Sequence, residues 1–392
     1  MPPSDSIILD LPGFKIIDVT GKSYLIIKVQ YLPKSACPRC QSTRLRTKDT
    51  FIRRIRHIII GQRPTWLEVK AHKYQCRGCG SYFNTRFTGI RLRKRATEPS
   101  RVEISRLHHK GWTQKDLARD MKLGSATVER WYQENFELQN RQYLNAHCPR
   151  VLGIDEHFFS RKDGYATTIA NLASNRVFDV VLGRSELSLR SYMKQLIGKD
   201  RVRVVVMDFS ETYRSIAKKH FPNALIVGDR FHAVRMVNHH FIKTWSDLDP
   251  VGRKHRGLVS LMRRHPDHFK PGQKERLFDY LQKVPGLLPV YMIWQDLLRL
   301  LRMKGLNQKS CRGIIPEFLY IIEELRRTKF VHLQVLGETL NNWKEEIARM
   351  FRFSKTNSIT EGLHNKMEMI SRRAYGFRNF ENYRLRVRVL CG

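Results

Sequence analysis

The sequence predicts an α/β protein with a metal-binding N-terminal part, a helical part, a mixed strand–helix core and an all-α stretch before the last helix. Three observations predict it. Two Cys-x-x-Cys pairs fall within residues 37–79, strands alternate with helices over 150–240, and the alternation stops over 245–350. The chain has 392 residues, 41% of them hydrophobic, which excludes wholesale disorder and allows several domains. Its 72 Lys+Arg exceed 36 Asp+Glu, giving a net charge of +36. Such an excess repels itself unless a polyanion offsets it, so nucleic acid is the expected partner, with an anionic membrane surface as the weaker alternative. No apolar run reaches the roughly 18 residues of a spanning helix. Met1–Asp10 lacks the basic start and apolar stretch of a signal peptide, so a cytoplasmic, nucleoid-associated location is expected. Thiols stay reduced there, and four of the seven cysteines read as metal ligands.

Residues 1–36 read as a β-hairpin arm, with strand-like alternation at Phe14–Val19 and Tyr24–Val29 around a turn at Thr20–Ser23. Residues 37–90 read as a Cys₄ zinc-binding domain. Cys37/Cys40 and Cys76/Cys79 each offer two thiolates, and together they close a tetrahedral shell around one structural zinc. Free buried thiols and a redox pair are the alternatives. Gly78 and Gly80 suit a turn that brings backbone close to sulfur. His57 and His72 are surface or packing residues on this reading, and Cys148, Cys311 and Cys391 are unligated. Residues 37–100 carry 16 Lys/Arg against 3 Asp/Glu, which places this part on phosphates unless it is merely a solvated basic face.

Residues 91–147 open with the basic run Arg91, Arg93, Lys94 and Arg95 and then turn helical. A helix over Arg101–His109 carries Val102, Ile104 and Leu107. Thr113 caps a second helix whose apolar face is Leu117, Ala118 and Met121, and Ser125 caps a third with Val128, Trp131 and Tyr132 inward. This is the layout of a helix-turn-helix that reads DNA with Ser125, Ala126, Thr127, Arg130 and Gln133. A packing bundle that reads no bases gives the same pattern.

Residues 148–244 contain the strands of the core. Val151–Asp155 and Val202–Asp208 each place an acid at the end of a strand, Ala166–Asn171 and Val177–Gly183 form a hairpin, and Ala224–Val227 leads to Asp229. An acid at a buried strand's end is costly to desolvate unless positive charge lies beside it. Two on neighbouring strands can share divalent cations, whereas one alone can simply cap the next element. A third acid comes from the helix over Thr356–Arg373. Glu361 is the candidate, Asn365 shares its face one turn on, and Glu368 is the rival acid. Ser358 and Glu361 also fit a capping box. Trp245, Trp294 and Trp343 read as helical core rather than base-stacking platforms.

Read in order, Cys37/Cys40, Cys76/Cys79, the helical pair, Gly153-Ile154-Asp155-Glu156, Val206-Met207-Asp208, Gly228-Asp229-Arg230-Phe231-His232 and Thr356-Asn357-Ser358-Ile359-Thr360-Glu361-Gly362 resemble the insertion-sequence transposases of the ISL-three family. The resemblance spans nearly the whole chain. It implies an RNase H-like catalytic core of the DDE type, split by a helical insertion, here 148–244 and 351–392 around 245–350. It implies Asp155, Asp208 and Glu361 as the catalytic triad holding two magnesium or manganese ions. Asp229 and His232 match an accessory Asp-x-x-His motif, in which Asp229 orients a metal ligand or a phosphate or else caps a helix, and His232 packs or contacts phosphate rather than ligating a metal. Three such acids without cations would repel and their pKa values would rise.

The expected activity follows. The N-terminal modules bind double-stranded DNA at terminal inverted repeats, water attacks a phosphodiester at the element's end, and the freed 3′-hydroxyl attacks target DNA. Synapsis of two ends implies a homo-oligomer on DNA. The alternatives are a transposase-derived DNA-binding regulator without catalysis and a structure-specific nuclease on the same core.

Overall fold

A computed structural model describes residues 4–141, 145–264, 266–353 and 358–392. Two compact units emerge, 1–142 with 373–376, and 143–372 with 377–392.

In the first unit, α1 (Ser4–Ile8) precedes β1 (Phe14–Thr20), β2 (Leu25–Tyr31), β3 (Leu45–Ile60), β4 (Arg63–Cys76) and β5 (Tyr82–Asn84). The strands form one sheet in the order β1-β2-β4-β3, with β5 on β4. β2 runs parallel to β4, Leu25 opposite Thr65 and Val29 opposite Val69. The hairpin expected as an arm over 1–36 is therefore an edge of the sheet that carries the cysteines. Burial explains the merger. Leu25, Ile27 and Val29 alternate inward, as do Leu67, Val69 and Ala71, and they meet Phe14, Ile55 and Phe87. Each such side chain contributes about 1.5–3 kcal/mol when fully buried. Gly61 and Gln62 both take positive φ, which lets a two-residue turn join β3 to β4.

Three helices follow, α2 (Glu98–His109), α3 (Gln114–Asp120) and α4 (Ser125–Asn140). Thr113 caps α3 as expected, its side chain accepting from the Asp116 N–H. α2 begins before Arg101 because Thr97 accepts from the Ser100 N–H and Pro99 suits the first turn. Gly124 is the cap of α4, so Ser125 is its first helical residue rather than the cap. Ile104, Leu117, Met121, Val128 and Trp131 form the core of the trio, while Val102 is exposed.

The second unit is built on β6 (Val151–Ser160), β7 (Gly164–Asn171), β8 (Arg176–Leu182), β9 (Val204–Met207) and β10 (Leu225–Gly228), with α5 (Glu186–Gln195) and α6 (Glu211–His220) between strands. The sheet order is β10-β9-β6-β7-β8. β8, β7 and β6 are antiparallel, whereas β6, β9 and β10 are parallel. Every residue of β9 is buried, as a continuous β-branched run predicts. The strand is shorter than that run because Lys199–Arg201 form a 3₁₀ turn. β6 is longer than expected. It continues past Asp155 to Ser160 because β7 stays paired with it, whereas β9 ends at Met207, opposite Ile154. Asp155 is thus the first residue of β6 beyond its parallel partner rather than the last of the strand.

After β10 the chain is helical through α7 (Arg230–Leu248), α8 (Pro250–Lys254), α9 (Arg256–Arg263), α10 (Gln273–Lys283), α11 (Leu287–Arg302), α12 (Gln308–Arg327), α13 (Val331–Asn342) and α14 (Lys344–Met350). α15 (Ser358–Arg373) and α16 (Phe380–Cys391) complete it. The helical run starts at 230 rather than 245, since α7 leaves β10 directly. Trp245, Trp294 and Trp343 are all buried in it. The indole N–H of Trp245 donates to the Tyr280 hydroxyl and that of Trp294 to Asn238 Oδ1. They pack rather than offer faces for stacking. Thr356 and Asn357 lie outside the described residues.

Candidate functional site

The four cysteines sit on two knuckles of equal construction. Gln41 N–H donates to the Cys37 carbonyl and Gly80 N–H to that of Cys76, each at 2.9 Å, and both residues take positive φ. Cys37 Sγ lies 3.6 Å from Cys79 Sγ and Cys40 Sγ 3.6 Å from Cys76 Sγ. A disulfide would hold its sulfurs at about 2.05 Å, whereas tetrahedral thiolates at a Zn–S distance of about 2.3 Å stand roughly 3.8 Å apart. The set fits zinc. The Ser81 hydroxyl, 3.3 Å from Cys37 Sγ and 2.9 Å from Cys79 Sγ, lowers both thiols and brings Cys37 to about 6. At Cys40 the Ser42 backbone pulls the thiol down, but the neighbouring sulfurs of Cys79 and Cys76 outweigh it and push the thiol up to about 12. His57 is buried against Thr97, and burial pulls it down to about 4, while His72 faces Thr50.

On α4 the side chains of Ser125, Ala126, Arg130 and Gln133 are exposed and Thr127 is half-buried, opposite the inward Val128 and Trp131. The basic run is divided. Arg91 pairs with Glu98 at 2.8 Å and Lys94 with Glu134 at 3.2 Å, and Arg101 also reaches Glu134. Arg93 and Arg95 are exposed.

The parallel pair β6/β9 brings Asp155 and Asp208 together although 52 residues separate them. Their carboxylates and His232 offer donor atoms within 4.8 Å of one another. His232 comes from the first turn of α7, which Asp229 caps, so the Asp-x-x-His spacing is that of a cap and its third helical residue. His232 Nδ1 lies 2.7 Å from Asp229 Oδ2 and 2.8 Å from Asp208 Oδ1. Asp229 is fully buried. Burial pulls the imidazole down, but the two carboxylates outweigh it and raise His232 to about 10. Burial, and then Asp208, pushes Asp155 up to about 8, and burial likewise raises Asp208. The nearest polar neighbour of the buried Asp208 Oδ1 is the His232 imidazole nitrogen. Oxygen donors held this close and desolvated fit a divalent cation. A cleft of about 1180 Å³ opens onto Asp208 and His232, and Arg184, Arg235, Arg253 and Arg263 line it.

Glu361 does not join this group. Its side chain is exposed, as are Asn365 and Glu368, and Glu368 pairs with Arg372. The inward face of α15 is Thr360, Leu363 and Met367, with His364 beside them. Helical phase is the reason. The apolar spacing at 363 and 367 fixes which side is buried, and 361 and 365 fall outside it.

His364 was missed in the sequence. Its Nδ1 stands 3.8 Å from Asp155 Oδ2 and its Nε2 3.0 Å from Thr168 Oγ1. Its position three residues after Glu361 was the available signal. Arg384 was also missed. It grips Asp179 with two hydrogen bonds of 2.8 Å and ties α16 to β8.

Comparison with known proteins agrees with this geometry. The profile of a zinc finger of the IS204/IS1001/IS1096/IS1165 transposases matches residues 33–79, which contain both knuckles. The chain is 25% identical over 363 residues to the transposase of insertion sequence element IS1001 from Bordetella parapertussis, covering 90% of this chain and 88% of that one. The DDE transposase profile of the ISL3 (ISL-three) family matches residues 152–387, well over half of the chain, from the first core strand to the last helix. The chain belongs to the ISL3 family of insertion-sequence transposases.

Proposed function

We propose that this transposase binds the terminal inverted repeats of its own element and cuts and joins DNA at a two-cation site on an RNase H-like core. The convergence of Asp155 and Asp208, whose donor atoms lie with one of His232 within 4.8 Å of one another, carries the reading. The strand order supports the core assignment. Three antiparallel strands continue into two parallel ones; in chain order Asp155 lies on the first of the five and Asp208 directly follows the fourth. The helices over 245–350, from the end of α7 to α14, would correspond to the insertion between the second and third acids.

Asp155 and Asp208 would hold magnesium or manganese, with Glu361 as the third carboxylate. Glu361 lies three residues before His364, which already stands at Asp155, so a turn of α15 or of the Glu361 side chain from its exposed position would be needed to bring its carboxyl in. Bound cations supply Lewis-acid stabilisation of the phosphoryl oxygens and of the attacking and leaving oxygens. The protein's own groups do the rest. Asp229 and Asp208 orient the His232 ring, and the cleft arginines bind phosphate. α4, as the second helix of a helix-turn-helix, would present Ser125, Thr127, Arg130 and Gln133 to base edges, with Arg93 and Arg95 on the backbone. Two ends brought together call for a homo-oligomer.

The test is cleavage of DNA bearing the element's end, in magnesium, by wild type, Asp208→Asn and Glu361→Gln. Loss of about 4 kcal/mol of metal-borne stabilisation slows cutting roughly a thousandfold in each variant, with end binding retained. Wild-type cutting by Asp208→Asn removes the site, and wild-type cutting by Glu361→Gln removes that residue alone.

A further inference from the structure

His364 belongs to a chain of buried and half-buried polar groups that leads toward Asp155. Tyr383 Oη lies 2.9 Å from His157 Nε2, His157 Nδ1 lies 3.0 Å from Thr168 Oγ1, and Thr168 Oγ1 lies 3.0 Å from His364 Nε2. Thr168 is fully buried and Tyr383 nearly so. The chain fixes the plane of the His364 ring and turns Nδ1 toward Asp155, 3.8 Å from Oδ2. That separation is too long for a hydrogen bond. It lies within the span of about 4.2 Å available to two donors on one cation with bonds of 2.0–2.1 Å. A histidine that ligates through one ring nitrogen has the other held by a hydrogen-bond partner, and Thr168 is such a partner here.

We propose that His364 is a nitrogen ligand of the cation held by Asp155, with Thr168, His157 and Tyr383 as positioning residues behind it. The proposal rests on the divalent-metal reading of Asp155 and Asp208. Donation then runs from His364 Nε2–H to Thr168, from the Thr168 hydroxyl to His157 Nδ1, and from His157 Nε2–H to Tyr383, leaving the His364 Nδ1 lone pair for the metal. A shell mixing carboxylate oxygen with imidazole shifts the site from magnesium toward first-row transition ions such as manganese. Placing a ligand on α15 also ties that helix, and Glu361 with it, to metal occupancy.

Manganese(II) is the probe, added to the full-length chain. Calorimetry gives its affinity, and pulsed electron paramagnetic resonance detects imidazole nitrogen coupled to the bound ion. Wild type shows nitrogen modulation. His364→Phe loses that nitrogen and binds manganese at least about tenfold more weakly. His232→Asn keeps the modulation, and Thr168→Val keeps it with weaker binding. Circular dichroism melting checks that each variant folds. If His364→Phe does not fold, His232→Asn decides, because disappearance of the modulation there assigns the nitrogen to His232 and overturns the proposal. Unchanged modulation and affinity in a folded His364→Phe also overturn it. A wild type that binds manganese through Asp155 without nitrogen modulation refutes the His364 ligand alone. A wild type that binds no manganese refutes the acidic metal site as well.

Discussion

Arg230 lies between Asp229 and His232 in the sequence, yet its guanidinium is engaged elsewhere. It donates to the carbonyls of Leu301 and Met303 at the end of α11 and to that of Met350 at the end of α14, at 2.8–2.9 Å. Carbonyls at a helix C-terminus have no partner within the helix, and a buried cation meets that need. Replacing Arg230 with Met strands three acceptors, so we expect a loss of about 2–4 kcal/mol of stability by urea denaturation. A loss below about 0.5 kcal/mol would show that water replaces the guanidinium. At this scale the sequence was legible where the chemistry is local. The cysteine knuckles, Asp155, Asp208, Asp229 and His232 all lie in short motifs, and the structure brings each group together. His364, Thr168 and Tyr383 meet across 215 residues of chain, and no local spacing announces that. The outward turn of Glu361 had a local cause that the triad expectation overrode, namely the apolar phase of Leu363 and Met367.

Elements were legible in kind more than in length. Alternation located β1 and β2, a hairpin pattern β7 and β8, and a β-branched run β9. Where strands stop is decided by partners, so β6 outran its expected end along β7 and β9 fell short. The merging of the hairpin with the zinc-bearing sheet likewise depends on a parallel pairing between β2 and β4 that sequence order hides. The two knuckles have little apolar material of their own. The core of that sheet is Leu67, Val69 and their neighbours, away from the sulfurs. Chelation should therefore release one zinc per chain, unravel residues 37–45 and 76–84, and end preference for the terminal repeat, while part of the sheet survives. Hydrogen exchange resolves this by segment, and full protection of both knuckles after zinc release would show that they need no metal.

On the scale of the whole molecule, charge is the dominant fact. Residues 1–142 carry 28 Lys/Arg against 12 Asp/Glu, and the remaining chain is basic as well, so both units can meet phosphate. Among the described residues no helix is long and apolar enough to cross a membrane. Not every cation is available to DNA, since Arg91, Lys94, Arg101, Arg214 and Arg384 are engaged with carboxylates. Enough remain that end binding should weaken about 10³–10⁵-fold between 50 and 200 mM salt, the response of some 6–10 phosphate contacts. A change under about tenfold in a binding titration would mean that few of these charges touch the backbone.

The unequal ends of β6 and β9 have one more consequence. Asp155 is anchored in a strand stitched to a neighbour on one flank, and on the other flank the neighbour has just run out. Stiffness and admission usually trade against each other, because a hydrogen-bonded border blocks approach. Here the seam with β7 keeps one carboxylate still, and the early end of β9 brings the other up beside it, so the pair meets where the border stops.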